Sequence, residues 1–311
     1  MVDTKQLNNL VIGISPAFLD VSFQGNAKHL AFAQCGVSVM ELNTALEARH
    51  LSLPTSVASN GQTICGAVST GTHGSAHAFG AMQEFIAGLH IVAEAGKHYW
   101  IERASQPVVN QAFSEILGGE KGAFVRFIYK RPFMPVPHVP GNTVVTSPGG
   151  AVMGLIGTLS DAVPHLIPAA LDAFLPQQFK PTTTPILGSH GQIFGATEVR
   201  GHAMSTEIGV ALQDAVAAEA IVAVAHDHAF AAPVALRYVK ASSATLAFTY
   251  FAPITCTIEL LAVGSQRTAE AYRRIWAEFD RRSIPYTLHW GQCLRAEATF
   301  IRQSFGERVD A

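Results

Sequence analysis

The sequence predicts an α+β fold divided between two domains, and three observations carry that prediction. The C-terminal third runs strand, helix, three strands, helix, the order of a module built on an antiparallel sheet. Its best strand, ITCTIELLA, alternates cleanly. Ile254, Cys256, Ile258 and Leu260 share one face, and Thr255, Thr257 and Glu259 the other. Upstream, KRPFMPVPHVPGN packs four prolines into a short run, fixing φ and removing ladder donors, as a domain boundary does.

The elements follow in order. Residues 8–40 alternate loosely, as short strands do. SVMELNTALEARHLSLP switches to helical spacing, with Val39, Leu42 and Leu46 on one face and Pro54 closing the unit. A Gly-rich stretch follows at 61–75, then FIAGLHIVAE as a buried strand and a short helix from Asn110 to Leu117. Residues 141–200 are rich in Gly, Pro and Thr, and their weak periodicity assigns no element. STEIGVAL reads as a strand and QDAVAAEAIVAVAHDH as an Ala-rich helix. ALRYVKA, TLAFTYF and ITCTIELLA read as three strands. The helix from Thr268 to Arg282 buries Ala271, Ile275 and Phe279. There is no internal repeat.

Composition narrows the function. Of 311 residues, 49% are apolar and 14% charged, with a formal net charge of −2 and no basic run. Attraction of the whole molecule to nucleic acid or an anionic membrane is therefore not expected. Cys35, Cys65, Cys256 and Cys293 are far apart and form no CxxC pair, so free thiols in a reducing compartment are expected. The N-terminal MVDTKQLNN lacks the apolar core of a signal peptide. The most apolar region, 149–175, is broken by Asp161, Pro164 and Pro168. The expectation is a cytoplasmic protein without an integral membrane span.

The chemistry concentrates in GQTICGAVSTGTHGS, residues 61–75. It holds four glycines, three threonines, two serines, one histidine and no formal charge. Glycine lets backbone approach a ligand closely, consecutive N–H groups make an anion-binding concavity, and hydroxyls add donors. The stretch suits a phosphorylated cofactor. No GxGxxG opens a helix and no GxxxxGK[ST] loop occurs, which disfavours a Rossmann or P-loop site; no GxSxG elbow occurs either. His226-Asp-His228 closes the Ala-rich helix with no third ligand at a suitable spacing, so no metal site is expected.

The segment LSLPTSVASNGQTICGAVSTGTHGSAHAFGAMQEFIAGLHIV resembles the FAD-binding segment of the vanillyl-alcohol oxidase / p-cresol methylhydroxylase (PCMH) flavoprotein superfamily. Within it, the segment is similar to the sugar-lactone (aldonolactone) and alditol oxidase branch, where G-A-[VI]-[AS]-T-G-T-H-G-[ST] recurs. ALRYVKAS, TCTIEL and PYTLHWGQ resemble cap-domain segments of that branch, in the same order. The resemblance implies that Thr63, Gly66, Ser69, Thr70, Gly71, Thr72, His73 and Gly74 line FAD. It also implies that Arg237 reaches the substrate side of the flavin and that His289 and Trp290 lie near its ring. A cation or donor beside the flavin pyrimidine edge stabilises the reduced anion, a role open to His289 or Arg237. The residues taken alone admit plainer readings: His73 as a turn cap, Arg237 as a solvated edge residue, His289 and Trp290 as half-buried packing.

Departures from the branch shape the expectation. Its first FAD motif, a Gly-rich turn ending in His-Ser that holds covalent flavin in several members, has no counterpart in the sequence, so flavin is expected to be non-covalent. LGGEKGAFVRF replaces a GSFG-type segment near Gly118–Gly122. Ala235 stands where the branch has the glutamate of Glu-x-Arg, and Gln292 where HWG is commonly followed by lysine. A carboxylate and an ammonium suited to gripping a polyol hydroxyl are thereby expected to be lost. The expected architecture is a partial PCMH-type FAD domain at 1–128, a cap domain with an antiparallel sheet and helices at 129–290, and a return to the FAD domain at 291–311. The expected activity is FAD-dependent oxidation of an alcohol carbon of a sugar, polyol or lactone-like small molecule, with dioxygen as acceptor. The alternative is a shortened, non-catalytic relative with weak or no FAD binding.

Overall fold

The computed structural model describes residues 4, 6–56, 61–94, 97–113, 124–128, 150–178 and 203–310. The chain forms two compact units. The first takes Met1–Thr72, Met82–Pro140 and Leu187–Ala196, and the second His73–Ala81, Gly141–Ile186 and Thr197–Ala311.

The first unit holds a five-stranded antiparallel sheet. Its strands are β1 (Leu10–Ile12), β2 (Leu30–Gln34), β3 (Ile86–Val92), β4 (His98–Glu102) and β5 (Phe124–Ile128), in the order β1-β2-β5-β3-β4. The loose alternation of residues 8–40 thus becomes β1 and β2, and FIAGLHIVAE becomes β3. Helix α1 (Val39–Glu47) starts at a capping box: Ser38 Oγ accepts from Glu41 N at 3.1 Å, and Glu41 Oε2 accepts from Ser38 N at 2.7 Å. It buries Val39, Leu42 and Leu46, the face its spacing predicts. A core of Ile14, Leu30, Phe32, Ala87, Val108, Val109 and Phe113 fills the unit, with Trp100 edge-on to Phe113. Of the helix expected at Asn110–Leu117, residues 111–113 are helical; the remainder, the 118–122 region and the proline cluster at 130–142 lie outside the described residues.

The second unit is built on a four-stranded antiparallel sheet. Its strands are β6 (Ala203–Ala211), β7 (Val234–Lys240), β8 (Ile254–Val263) and β9 (Thr287–Leu288), in the order β7-β8-β6-β9. Helices α3 (Gly150–Ala162) and α4 (Ile167–Gln178) arise in a region whose sequence assigned nothing. Asp161 ties α3 to the start of a later helix, its carboxylate accepting from Gln266 N at 3.2 Å and Arg267 N at 2.9 Å. Next come α5 (Ala218–Asp227), α6 (Gln266–Arg281) and α7 (Ala298–Phe305). Ile208, Val210, Cys256, Ile258 and Leu260 pack against Ala220 and Ile221 of α5, Ala271, Tyr272, Ile275 and Phe279 of α6, and Phe300 of α7. Cys293 N donates to Ser205 O at 2.8 Å, so the 291–311 segment, expected to return to the first domain, groups with the second unit.

One expected strand is absent. TLAFTYF forms turns, in which Ala247 N donates to Ala244 O at 3.1 Å and Thr249 O accepts from Ser242 N at 2.8 Å. Its aromatic and β-branched composition reflects burial of Phe248 and Thr249 rather than ladder pairing. Among the described residues no single helix is long and apolar enough to cross a membrane; Gly154–Ala162 and Pro164–Ala173 reach that length only together, across a 120° bend.

Side chains alternate across a strand, so helices on one sheet face leave the other to a different set of residues. That second face carries Ser205, Glu207 and Gly209 of β6, Thr255, Thr257 and Glu259 of β8, and Ala235 and Arg237 of β7.

Candidate active site

The register places Ala235, Glu259 and Glu207 in one row across three strands. Two carboxylates directly opposite on adjacent strands repel, so the row needs cations. Arg237, two residues along β7 from Ala235, supplies one: its Nη1 lies 3.2 Å from Glu207 Oε1 and its Nη2 bonds Glu259 Oε2. Gln292 Nε2 sits 3.4 Å from an oxygen of each carboxylate, and Gln292 Oε1 accepts from Ser205 Oγ at 2.9 Å.

The second cation arrives from far away in sequence. Gly71, at φ +80°, ends helix α2 (Ile64–Thr70) in the left-handed conformation, and the chain then enters 73–81. Lys240 N donates to Phe79 O at 3.1 Å, tying this segment to the end of β7. His73 Nε2 comes to rest 3.0 Å from Glu207 Oε1, and its Nδ1 lies 2.8 Å from Gly74 O. Both ring nitrogens face acceptors, which only the doubly protonated ring satisfies. Burial opposes that charge, but the field and hydrogen bond of Glu207 outweigh it and raise the His73 pKa. Burial likewise opposes the Glu207 charge, yet His73, His289 and Arg237 together hold its carboxyl below the usual range.

His289 has the opposite state. Its backbone N donates to Glu207 O at 3.0 Å, continuing β9 along β6, and its Nδ1 accepts from Gly291 N at 3.0 Å. The proton therefore sits on Nε2, which finds no protein acceptor among the described residues. Burial dominates, and His73 and Arg237 add to it against the pull of Glu207, lowering the pKa to about 4. His289 is a neutral donor. Phe248 lies edge-on to it at 4.8 Å between centroids. Trp290 turns elsewhere. Its Nε1 donates to Leu246 O at 2.7 Å and its ring stacks on Phe305, so it packs rather than reaches into the cluster. Thr257, opposite Arg237 in register, holds a buried hydroxyl with no partner among the described residues.

Of the residues expected to line the cofactor, His73 joins Arg237 and His289 in the second unit. Thr63, Gly66, Ser69, Thr70, Gly71 and Thr72 belong to the first unit, and Gly74 follows His73. The expectation of a row of bare amides is corrected here. Gly66 N donates to Thr63 Oγ1 at 3.2 Å, and Ala67 N to Thr63 O at 2.9 Å. Gly71 N donates to Val68 O at 3.4 Å, and Thr72 N to Ala67 O at 2.9 Å. Thr70 Oγ1 and Thr72 Oγ1 turn inward to Gly66 O and Gln62 Oε1. In this stretch Thr63 caps a two-turn helix and Gly71 stops it, which explains much of the composition. Ser69 stays exposed.

The expected loss of a carboxylate beside Arg237 is also corrected. Ala235 lacks one, but its cross-strand neighbour Glu259 and the next in the row, Glu207, bring two. The available signal was a glutamate in mid-strand on the polar face of two predicted strands, the same face as Arg237. His228 Nε2 contacts Arg267 O at 3.1 Å, and no group of three or more His, Cys, Asp or Glu able to hold a metal ion occurs among the described residues.

The donor set fits a flavin on one count: with Nδ1 accepting from Gly291 N, His289 keeps an Nε2–H on a nearly buried ring free to donate, and the flavin pyrimidine edge offers carbonyls. Comparison with known proteins bears on this. Residues 1–102 match the FAD binding domain family. A stretch of 68 residues is 40% identical to a putative D-arabinono-1,4-lactone oxidase of Neurospora crassa, covering 22% of this chain and 12% of that protein. The match thus spans about an eighth of that relative's length. Among solved structures, a solvent-stable cholesterol oxidase aligns over 94% of this chain and 74% of its own with a TM-score of 0.59. A xylooligosaccharide oxidase from Myceliophthora thermophila C1, in complex with xylobiose, aligns over 99% and 76% with a TM-score of 0.58. A VAO-type flavoprotein from the same fungus aligns over 99% and 67%, also at 0.58. Each of the three is 12% identical, a likeness of fold. Residues 1–102 thus match an FAD binding domain, and the chain shares its fold with a VAO-type flavoprotein.

Proposed function

We propose that the protein is an FAD-dependent oxidase acting on an alcohol carbon of a sugar, polyol or lactone-like substrate, with dioxygen as electron acceptor. The observation that supports this reading is the clamp of Arg237 on Glu207 and Glu259, together with the Nε2–H of His289, for which the described residues offer no acceptor. Bound FAD would supply a two-electron acceptor. In this reading Arg237 orients the substrate oxygen with its spare N–H donors, and His289 donates to the flavin. In the same reading Thr63, Gly66, Ser69, Thr70, Gly71, Thr72, His73 and Gly74 line the cofactor, with the Ser69 side chain exposed. The setting proposed is the cytoplasm, on the four free thiols.

The test is a visible spectrum of the purified full chain. Flavin bands, bleaching on anaerobic addition of D-sorbitol or D-arabinono-1,4-lactone, and hydrogen peroxide on readmission of air are expected. Acid precipitation should release the flavin into the supernatant. A colourless protein that quenches no FAD fluorescence on titration overturns the proposal. One observation favours a second reading, a non-catalytic relative: the amides at Gly66, Gly71 and Thr72 are spent within the chain. That reading requires FAD, if taken up, to stay oxidised in the presence of every alcohol tried.

A further inference from the structure

The ionic cluster has two layers. The side chains of His73 and Glu207 are 2% and 4% exposed, whereas those of Arg237 and Glu259 are 29% and 17% exposed. Glu259 is thus the carboxylate of the row that an incoming molecule meets, and Arg237 is the cation it meets. Around Glu259 stand Ala235 and Arg237 of β7, Ser205 and Glu207 of β6, and Gln292. Ala235, the cross-strand neighbour of Glu259, carries only a methyl group. Leu261, on the same strand face, is exposed next to Glu259.

Charge and hydrogen-bond inventory decide what this pair accepts. His73 and Arg237 carry one positive charge each, Glu207 and Glu259 one negative charge each, and His289 is neutral, so the cluster is balanced as it stands. A third anion finds both cations already engaged and a carboxylate in its path. A ligand cation meets Arg237 at the same place. A hydroxyl suits it: the O–H donates to Glu259 while a lone pair accepts from a spare N–H of Arg237. A site built to hydrogen-bond a hydroxyl discriminates strongly against analogues that cannot satisfy it.

We infer that Arg237 and Glu259 form a specificity-determining subsite for an uncharged hydroxyl, one that turns away sugar acids. The inference rests on the reading of this cluster as the substrate side of an oxidase, and it assigns Glu259 the part of the carboxylate that Ala235 lacks. It is tested by isothermal titration calorimetry of the purified full chain, with whatever flavin it retains, against D-sorbitol and D-gluconate. These differ in a terminal carboxylate and share the rest of the polyol chain. Wild type should bind sorbitol at least about tenfold more tightly than gluconate. Glu259→Gln should bring the two within about threefold, because a neutral amide no longer repels the acid.

Ala235→Glu supplies a second handle should Glu259→Gln fold poorly. It adds a carboxylate beside the subsite and should widen the ratio. A wild-type ratio near one, a ratio unmoved in both folded variants, or no binding of either polyol overturns the inference. The oxidase reading fails separately. If sorbitol binds with the stated ratio yet leaves bound flavin oxidised under anaerobic conditions, the subsite stands and the oxidase falls. If sorbitol bleaches the flavin while Glu259→Gln leaves the ratio intact, the oxidase stands and the subsite falls.

Discussion

His73 and Glu207 form a buried ion pair, Nε2 to Oε1 at 3.0 Å, joining a residue just past α2 to the middle of β6. Both side chains are almost wholly enclosed, so removing one charge strands the other out of water. Glu207→Gln should therefore destabilise the fold by about 3–5 kcal/mol, the usual cost of breaking a buried pair from one side. Urea denaturation of the full chain measures it, and His73→Gln in the same background completes a double-mutant cycle. The double variant should recover part of the loss, because no unpaired charge remains. Additive losses would mean that the two groups do not interact.

Stability should be greatest near neutrality, for three separable reasons. The folded His73 value is raised, burial being outweighed by Glu207, so its stabilisation is complete below about 6.5 and is lost as pH rises through the folded value. The folded Glu207 value is depressed despite burial, so its contribution is complete above about 4.3 and is lost as pH falls through the folded value. His289 is depressed mainly by burial, to about 4, so the unfolded chain binds its proton first and stability falls between about 6.5 and about 4. Unfolding midpoints across this range should rise from pH 4 to about 6.5 and decline on the alkaline side. His289→Gln should flatten the limb between about 6.5 and 4 and leave the alkaline limb in place.

These relationships were only partly legible in the sequence. α1 and the face that α6 buries could be read because apolar residues recur at helical spacing in both. The alternation of ITCTIELLA also gave the right two faces, but nothing in it showed what the polar face does. In the structure Thr255 and Thr257 are buried and Glu259 is mostly enclosed. A mid-strand glutamate reads as solvated when nothing local supplies a cation. Here His73 comes from another part of the chain, and only tertiary structure brings it to Glu207. The 245–251 segment misled for a related reason: aromatic and β-branched residues mark burial, and Phe248 satisfies its carbonyl with the Thr287 hydroxyl instead of a ladder. In the Gly-rich stretch, glycine and threonine served helix capping as much as any ligand.

Arg237→Ala should weaken substrate affinity in flavin-loaded protein and also cost stability, because Glu207 and Glu259 would then face each other across the register with His73 alone to offset them. An increase of KM by about tenfold or more with a smaller fall in kcat is expected of a group that binds substrate oxygen. Arg237→Lys should not rescue fully, since an ammonium cannot fork to two carboxylates as a guanidinium does. Steady-state kinetics on D-sorbitol reads both variants. Unchanged KM in Arg237→Ala removes Arg237 from the substrate side.

Gly209 tests how the enclosed end of the cluster is built. A Cβ at this position would stand 2.6 Å from the carbonyl oxygen of Phe248 and 2.7 Å from Thr287 Oγ1. Thr287 Oγ1 is itself bonded to that Phe248 carbonyl, so three groups meet where no side-chain atom fits. The turn segment carrying Phe248 lies that close because β6 has a glycine there, and Phe248 in turn packs on the rings of His73 and His289. Gly209→Ala must push the 245–251 backbone outward, an overpacking cost of about 1–3 kcal/mol. Moving Phe248 admits water to His289, whose depressed pKa depends first on burial, so that pKa should climb back toward about 6.5. Histidine titration by NMR follows the shift directly. A Gly209→Ala protein with unaltered stability and an unaltered His289 titration would show that Phe248 does not need the glycine to close over the imidazoles.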